Sequence, residues 1–203
     1  MKKLSGQSAT PVLEWDREII SGSTAILEFI EQHQPEPALF PANDSERQAA
    51  LTWCQRLDTE LGPAVRSLVF ASMINHTSYL VSVFGKQKSA IKLFFYRLMF
   101  PLLKPVIAKA NGVNPENLKR AEQTVAAYLD DIAEATAETG YLVGNMFTAA
   151  DLTAASLLAT LINPDHPDMA KPEPVLASFQ LLLDRYCDHP TMTWVARLYK
   201  EKR

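Results

Sequence analysis

Strand-like patterning is confined to the start of this chain of 203 residues. Val12-Leu13 and Ile19-Ile20 are short apolar runs on either side of a charged turn, which predicts a β-hairpin. From Ser23 the apolar residues recur at helical spacing. The helix should stop at Gln34-Pro35, because proline lacks an amide donor and restricts the residue before it. Two strands and one helix make only half of a small sheet domain, so the rest of the chain must supply most of the core.

A proline-rich linker follows, and every apolar pattern after it has helical spacing. Asp44 or Ser45 is expected to cap the first of these helices, and Gly62-Pro63 to kink or restart it. The predicted helices cover approximately residues 44–61, 62–74, 89–110, 115–140, 148–161, 175–187 and 191–200. The sequence therefore predicts a mainly α fold, with a small sheet element in residues 1–36 and an all-helical domain in residues 37–203.

The composition excludes several classes of function. A net charge of −3, without a zinc-finger, RNA-recognition or basic-helix pattern, argues against a nucleic-acid partner. Cys54 and Cys187 lie far apart and outside any CxxC pattern, so both are expected to be free thiols. The four histidines lack metal-ligand spacing, so we expect no metal site. No secretory signal is evident, and the longest apolar stretch, Leu93 to Ile107, is interrupted by two cations and two prolines. We therefore expect a cytoplasmic protein without stable membrane insertion.

The sharpest local pattern is Phe147-Thr148-Ala149-Ala150-Asp151-Leu152, which precedes an alanine-rich run. If Thr148 is the N-cap, its hydroxyl accepts a hydrogen bond from the Asp151 amide, and the Asp151 carboxylate reaches back to the Thr148 amide. Phe147 can then pack on Leu152 as a hydrophobic staple. The alternative is that Asp151 is a catalytic carboxylate. We prefer the capping role, because it accounts for the residue without further assumptions.

Several motifs in the same order resemble those of glutathione S-transferases. The capping motif, preceded by Gly140-Tyr-Leu-Val-Gly144, is similar to the buried cap of that family. Thr10-Pro-Val-Leu13 is similar to the stretch around its cis-proline, and Ile20 to Ile26 to its glutathione-binding turn and helix. The tail from His189 to Tyr199 is similar to the family's last helices. The resemblance covers nearly the whole chain, and implies a bacterial glutathione S-transferase-like protein with a helical bundle behind a partial thioredoxin-like ββα element.

The resemblance implies a glutathione site. The backbone of Thr10, before a cis Pro11, would bind the cysteinyl part of glutathione like an added strand. Ser23, after Gly22, would bind the γ-glutamyl carboxylate at a helix N-terminus. The alternative is that Ser21 or Ser23 merely caps the helix. The chain departs from the family at Gly22, where the family usually has an acid, and at Ala9 before Thr10, where a Lys or Gln is common.

The resemblance also implies that the catalytic residue lies elsewhere. In the family a βαβ unit precedes this point and carries the Tyr, Ser or Cys that activates the thiol, and such a unit needs about 30 residues or more. Nine residues precede Thr10, and none matches that residue. We expect the chain to be part of a longer protein that conjugates or reduces apolar electrophiles with glutathione, and to have little or no activity by itself. A reduced relative that serves as a noncatalytic binding or scaffold protein is the alternative.

A second unusual feature is charge. From Leu61 to Pro115 there is no acidic residue, but there are seven cations, and the same segment holds the aromatic residues Phe94, Phe95, Tyr96 and Phe100. Such a surface could attract anionic substrates or rest on anionic lipid. The preferred interpretation is an amphipathic helix with solvated lysines beside an aromatic core, since two prolines should disrupt a regular interfacial helix. The resemblance further implies a homodimer through residues 45–74 and 89–110. Cys54, on a helix that lines the cleft in the family, is expected to be buried rather than reactive.

Overall fold

The computed structural model describes residues 11–84, 89–164 and 166–202, so Thr10 and its peptide bond to Pro11 lie outside the described residues. The elements, in chain order, are β1 Val12–Trp15, β2 Glu18–Ser21, α1 Ser23–His33, α2 Asp44–Arg56, α3 Gly62–Met73, α4 Thr77–Phe84, α5 Ala90–Ala110, α6 Pro115–Thr136, α7 Ala149–Ile162, α8 Ala177–Tyr186 and α9 Pro190–Lys202. A π-helical turn, Leu57–Leu61, follows α2, and a short 3₁₀ helix, Pro167–Met169, precedes α8. The predicted mainly α fold is confirmed.

The predicted hairpin is present. β1 and β2 pair antiparallel, with Val12 opposite Ser21 and Trp15 opposite Glu18. The two residues between the strands, Asp16 and Arg17, have φ values of 44° and 70°, as a tight two-residue turn requires. The Trp15 ring lies edge-on to the Phe29 ring of α1, with centroids 6.2 Å apart, so the turn end of the hairpin packs on that helix.

The start of α2 differs from the prediction. Neither Asp44 nor Ser45 is the cap, because the Asn43 side chain accepts hydrogen bonds from the amides of Ser45 and Glu46, at 2.9 and 3.1 Å. Asn, Asp and Ser are nearly equivalent as N-caps, so composition alone does not choose among consecutive candidates. The expected restart is confirmed, since Pro63 lies in the first turn of α3.

Contacts divide the chain into two compact units. The first contains the described residues up to Leu57 together with Ala135–Thr153, and the second contains Asp58–Glu134 together with Ala154–Arg203. The predicted boundary between residues 36 and 37 remains a prediction.

The second unit has its core on the predicted helical faces. The apolar stripe of α6 is fully buried at Val125, Leu129 and Ile132. The Thr191 hydroxyl of α9 donates to the Leu129 carbonyl at 2.7 Å, and the Ser178 hydroxyl of α8 donates to the Ser72 carbonyl of α3 at 2.6 Å. These bonds satisfy polar groups where helices meet, so the core is closed without unpaired hydroxyls at these contacts.

Two helices differ from their predictions. α6 ends at Thr136 rather than Gly140, and Gly140, at φ 79°, closes the following turn by donating to the Thr136 carbonyl. α4 was not predicted, because its apolar run is rich in β-branched and aromatic residues without a clear helical period.

α5 shows the largest departure. It is one helix through both Pro101 and Pro105, so neither proline ends it. The expected aromatic core is wrong for three of its four members, since only Phe100 is buried, at 3% exposure. Phe94, Phe95 and Tyr96 are 48–63% exposed.

No helix in the described ranges combines the length and the apolar character needed to cross a membrane.

Candidate functional site

The predicted ligand-binding turn brings Pro11 and Gly22 together. The Gly22 amide donates to the Pro11 carbonyl at 3.1 Å, which extends the β1–β2 ladder to the start of α1. Gly22 has a φ of 99°, and nothing lies within 4 Å of the position that a Cβ would take. The glycine is therefore required by backbone conformation and not by lack of space. An acidic side chain at this position would be strained by the backbone conformation.

The first turn of α1 lacks the features that normally neutralise a helix start. Gly22 is the N-cap residue, no side chain accepts a hydrogen bond from the first turn, and this turn has no acidic residue. The interpretation of Ser21 or Ser23 as a simple cap is therefore wrong. The first hydrogen bond of the helix runs from the Ile26 amide to the Gly22 carbonyl. The amides at positions 23–25 consequently have no partner within the helix, and the positive end of the helix dipole lies beside the Ser23 side chain.

Glu31 connects α1 to the segment before α2. Its Oε2 accepts hydrogen bonds from the amides of Leu39 and Phe40, at 2.5 and 2.9 Å. The Leu39 carbonyl in turn accepts from the amide of Ala149, the first residue of α7, at 2.8 Å. Arg47 lies 3.6 Å from the other Glu31 oxygen. The Glu31 carboxylate therefore holds the segment at Leu39 in place. The carbonyl of that segment accepts from an amide at the start of α7 that would otherwise have no hydrogen-bond partner within the helix.

Asp151 is the centre of the second polar cluster. The Asp151 and Thr148 side chains are fully buried. Oδ2 of Asp151 accepts from the Thr148 amide and the Thr148 hydroxyl, each at 2.8 Å, and Oδ1 accepts from the Leu142 amide at 2.8 Å. The predicted reach of Asp151 back to the Thr148 amide is confirmed. The hydroxyl, however, donates to the carboxylate, whereas the prediction had it accepting from the Asp151 amide. The staple between Phe147 and Leu152 remains a prediction.

The Asp151 environment explains its ionisation. Burial raises the pKa of the carboxyl, and the hydrogen bonds from Leu142 and Thr148 counteract part of that increase. The loop and the start of α7 supply the donors of these three hydrogen bonds, and the carboxylate is inaccessible to solvent. These contacts make Asp151 a structural carboxylate that a substrate cannot reach. This favours the capping role over the catalytic alternative.

Neither cysteine has the surroundings of an activated thiol. Cys54 is fully buried and its sulfur lies 3.7 Å from the Thr153 hydroxyl. Cys187 is exposed, but partial desolvation and the Asp188 carboxylate raise the pKa of its thiol. An activated cysteine needs positive surroundings that lower the thiol pKa. Both cysteines are free thiols, as predicted.

The described part of the chain contains no cluster of three or more His, Cys, Asp or Glu side chains arranged to hold a metal ion.

Sequence reasoning missed two parts of these clusters. The Leu142 amide lies nine residues before Asp151, and Glu31 lies eight and nine residues before the amides that it accepts from. Neither contact follows from a short spacing rule, because each joins two segments across a loop. The Gly140 to Gly144 pattern, with positive φ at both glycines, was the available signal that this loop is bent to meet the helix start.

The comparisons agree with this architecture. Residues 104–191 match the family model described as glutathione S-transferase, C-terminal domain. A maleylacetoacetate isomerase of Dictyostelium discoideum is 39% identical over 61 residues, or 30% of this chain. The match spans only 28% of the length of that curated relative.

Solved structures show the same fold. The β-etherase LigF of Sphingobium sp. strain SYK-6 superposes with a TM-score of 0.58 at 20% identity, over 97% of this chain and 81% of its own. A glutathione S-transferase of Rhodospirillum rubrum F11 superposes with a TM-score of 0.54 at 17% identity, over 96% of this chain and 73% of its own. The fold is that of a glutathione S-transferase-like protein. Residues 104–191 match the C-terminal domain of glutathione S-transferases, so the predicted resemblance to that family is confirmed.

Proposed function

We propose that the chain binds glutathione at the first turn of α1, as part of a glutathione S-transferase-like protein. The observation that carries the proposal is a helix start whose amides at positions 23–25 are neither capped by a side chain nor neutralised by an acid. Such a helix end favours an anion, through its unpaired amides and its dipole.

Two parts of glutathione, the γ-glutamyl and the cysteinyl residues, have a counterpart in this frame. The γ-glutamyl carboxylate accepts from the Ser23 amide and hydroxyl. Gly22 holds the left-handed turn that presents them, and its own amide is already used by the Pro11 carbonyl. The backbone of Thr10, next to Pro11, binds the cysteinyl part by added-strand hydrogen bonds. No metal or other cofactor takes part in this scheme, and glutathione is a cosubstrate.

The reaction class is attack of the glutathione thiolate on an apolar electrophile. That chemistry needs a donor that lowers the thiol pKa. No residue of this chain matches the Tyr, Ser or Cys that supplies this donor in the resembled family, and the two cysteines lack the surroundings of an activated thiol. We therefore expect a polypeptide of these 203 residues to give little or no conjugation. A robust rate with a chromogenic aryl halide would refute this expectation.

A charge placed in the first turn tests the binding site. Ser23→Asp puts a carboxylate where the ligand carboxylate should bind, so we expect the affinity for glutathione to fall about 10- to 100-fold in calorimetry, as loss of a charge-assisted hydrogen bond implies. The same change should leave the protein folded, and stabilise it by about 0.3–1 kcal/mol, because an acid is favourable at a helix start.

Gln32→Glu is the matched control. It adds the same charge to an exposed position of α1, about two turns further along the helix. Equal affinities for wild type and both variants would contradict the proposed site. The reading frame upstream of Met1 discriminates the two functions: an in-frame βαβ pattern with a Tyr, Ser or Cys after its first strand would favour the transferase over the noncatalytic binding protein. A homodimer and a cytoplasmic location are also proposed, on the family resemblance, and light scattering tests the dimer.

A further inference from the structure

α5 is held to the protein along one narrow stripe. Phe100 is buried, and Leu93 and Ile107, seven residues to either side, are half-buried. On the same side the Lys104 ammonium donates to the Asn75 side chain at 2.8 Å. At about 100° of rotation per residue, these contacts use less than a third of the helix circumference.

The opposite side of α5 is apolar and open. We call it the α5 outer face, and its members are 58–71% exposed: Ile91, Phe94, Phe95, Leu98, Leu102 and Val106. By helical geometry they lie within about 60° of the direction opposite Phe100. Single exposed apolar residues are ordinary on protein surfaces, but a contiguous apolar face of this kind marks an interaction site.

The chain segment that contains this face carries charge of one sign. Between Leu61 and Pro115 there are seven cations and no acid, and α4, which packs against α5, has no charged residue. Arg97 and Lys92 are exposed and lie on opposite sides of the helix, about 60° and 80° from Phe100. They therefore border the α5 outer face along both edges.

We propose that the α5 outer face docks on the surface of an anionic phospholipid bilayer. The apolar side chains enter the boundary between headgroups and acyl chains, and the two bordering cations lie at the level of the phosphate groups. Lys109, at the C-terminal end of the face, extends its stem to the same level. The helix is continuous through Pro101 and Pro105, so proline does not interrupt the α5 outer face.

A second copy of the chain fits this face less well, so the proposed homodimer would use residues 45–74 rather than the outer face of residues 89–110. A two-fold interface places the same patch on both subunits, so the cations of one α5 would face those of the other with no acid in the segment to pair them. An anionic bilayer supplies the missing opposite charge, and for that reason we choose it as the occupant.

Vesicle co-sedimentation of the whole chain tests the proposal. The wild type should bind vesicles of phosphatidylcholine with about 30% phosphatidylserine and bind phosphatidylcholine vesicles much more weakly. Binding should fall as salt is raised from about 0.05 to 0.5 M. The double variant Lys92→Gln/Arg97→Gln should bind about 25-fold more weakly, at about fivefold for each cation removed. The double variant Leu98→Gln/Leu102→Gln should lose at least about tenfold through its lost apolar contacts.

Matched controls lie on other helices. Leu181 of α8 and Leu102 are both 70% exposed, so Leu181→Gln removes an equally exposed leucine outside the face. Lys200→Gln removes an exposed cation of α9. Both controls should bind as the wild type does. Circular dichroism of every variant should be unchanged, because all the altered side chains are solvent-exposed.

Three outcomes would overturn the proposal. One is failure of the wild type to bind anionic vesicles at low salt, and another is equal losses in the α5 variants and the controls. The third is a dimer in light scattering that only the α5 leucine variant dissociates, without vesicle binding, which would assign the face to a second copy. None of these outcomes depends on glutathione binding, so this proposal and the proposed function fail separately.

Discussion

Removing the Asp151 carboxylate should be among the most damaging single changes in the first unit. In Asp151→Ala the amides of Leu142 and Thr148 and the Thr148 hydroxyl lose their acceptor inside a buried site. A buried donor left without a partner costs about 1–3 kcal/mol. The two amides alone thus give about 2–6 kcal/mol, and relief from burying the charge offsets part of it. We expect a net loss of about 3 kcal/mol, a large share of a typical total stability of about 5–15 kcal/mol.

Urea unfolding followed by circular dichroism measures this loss. At a slope of about 2 kcal/mol per molar urea, the midpoint should fall by about 1.5 M. Hydrogen exchange gives a local readout, because the Leu142 and Thr148 amides should lose protection before the rest of α7. Asp184→Ala, which removes an exposed carboxylate of α8, should stay within about 0.5 kcal/mol of wild type. A loss of under 0.5 kcal/mol for Asp151→Ala, with both amides still protected, would refute the reasoning.

Further predictions concern pH, the ligand turn and the caps. Because burial raises the pKa of Asp151 in the folded state, this group stabilises the fold below the ordinary carboxyl pKa. That contribution should fall as pH rises through the raised pKa, and Asp151→Asn should remove it. A stability difference between wild type and Asp151→Asn that grows with pH would contradict this sign. Gly22→Ala should lower the free energy of unfolding by about 1–2 kcal/mol. The backbone φ of 99° at this position is the sole cause, since no atom obstructs a Cβ there. An unchanged thermal midpoint would show that the turn is not left-handed. Asn43→Ala should cost about 1 kcal/mol at the start of α2, while Asp44→Ala, expected from sequence to be a candidate cap, should cost less. The reverse order in urea unfolding would restore Asp44 as the cap.

Local patterns predicted most elements because their causes are local. The hairpin follows from two short apolar runs around a two-residue turn, and α6 follows from an apolar stripe at helical spacing. The hydrogen bond from the Thr148 amide to the Asp151 carboxylate joins residues three apart, so a spacing rule can predict it. A spacing rule could not choose among neighbouring cap candidates, since Asn43 and not Asp44 or Ser45 caps α2. It also could not give the direction of the hydrogen bond between the Thr148 hydroxyl and Asp151.

The sequence by itself determined where the helices and the hairpin lie, which glycines and prolines bound them, and that residues 61–115 carry only positive charge. Tertiary structure alone decided which side of each helix meets a neighbour. Leu142 completes the Asp151 cluster from across a loop, and Phe94 to Tyr96 face outward although their composition predicted a core. The physical reason is that period and capping act within one or two turns of chain. Burial depends on the area that other elements cover, and α5 is covered along a single stripe.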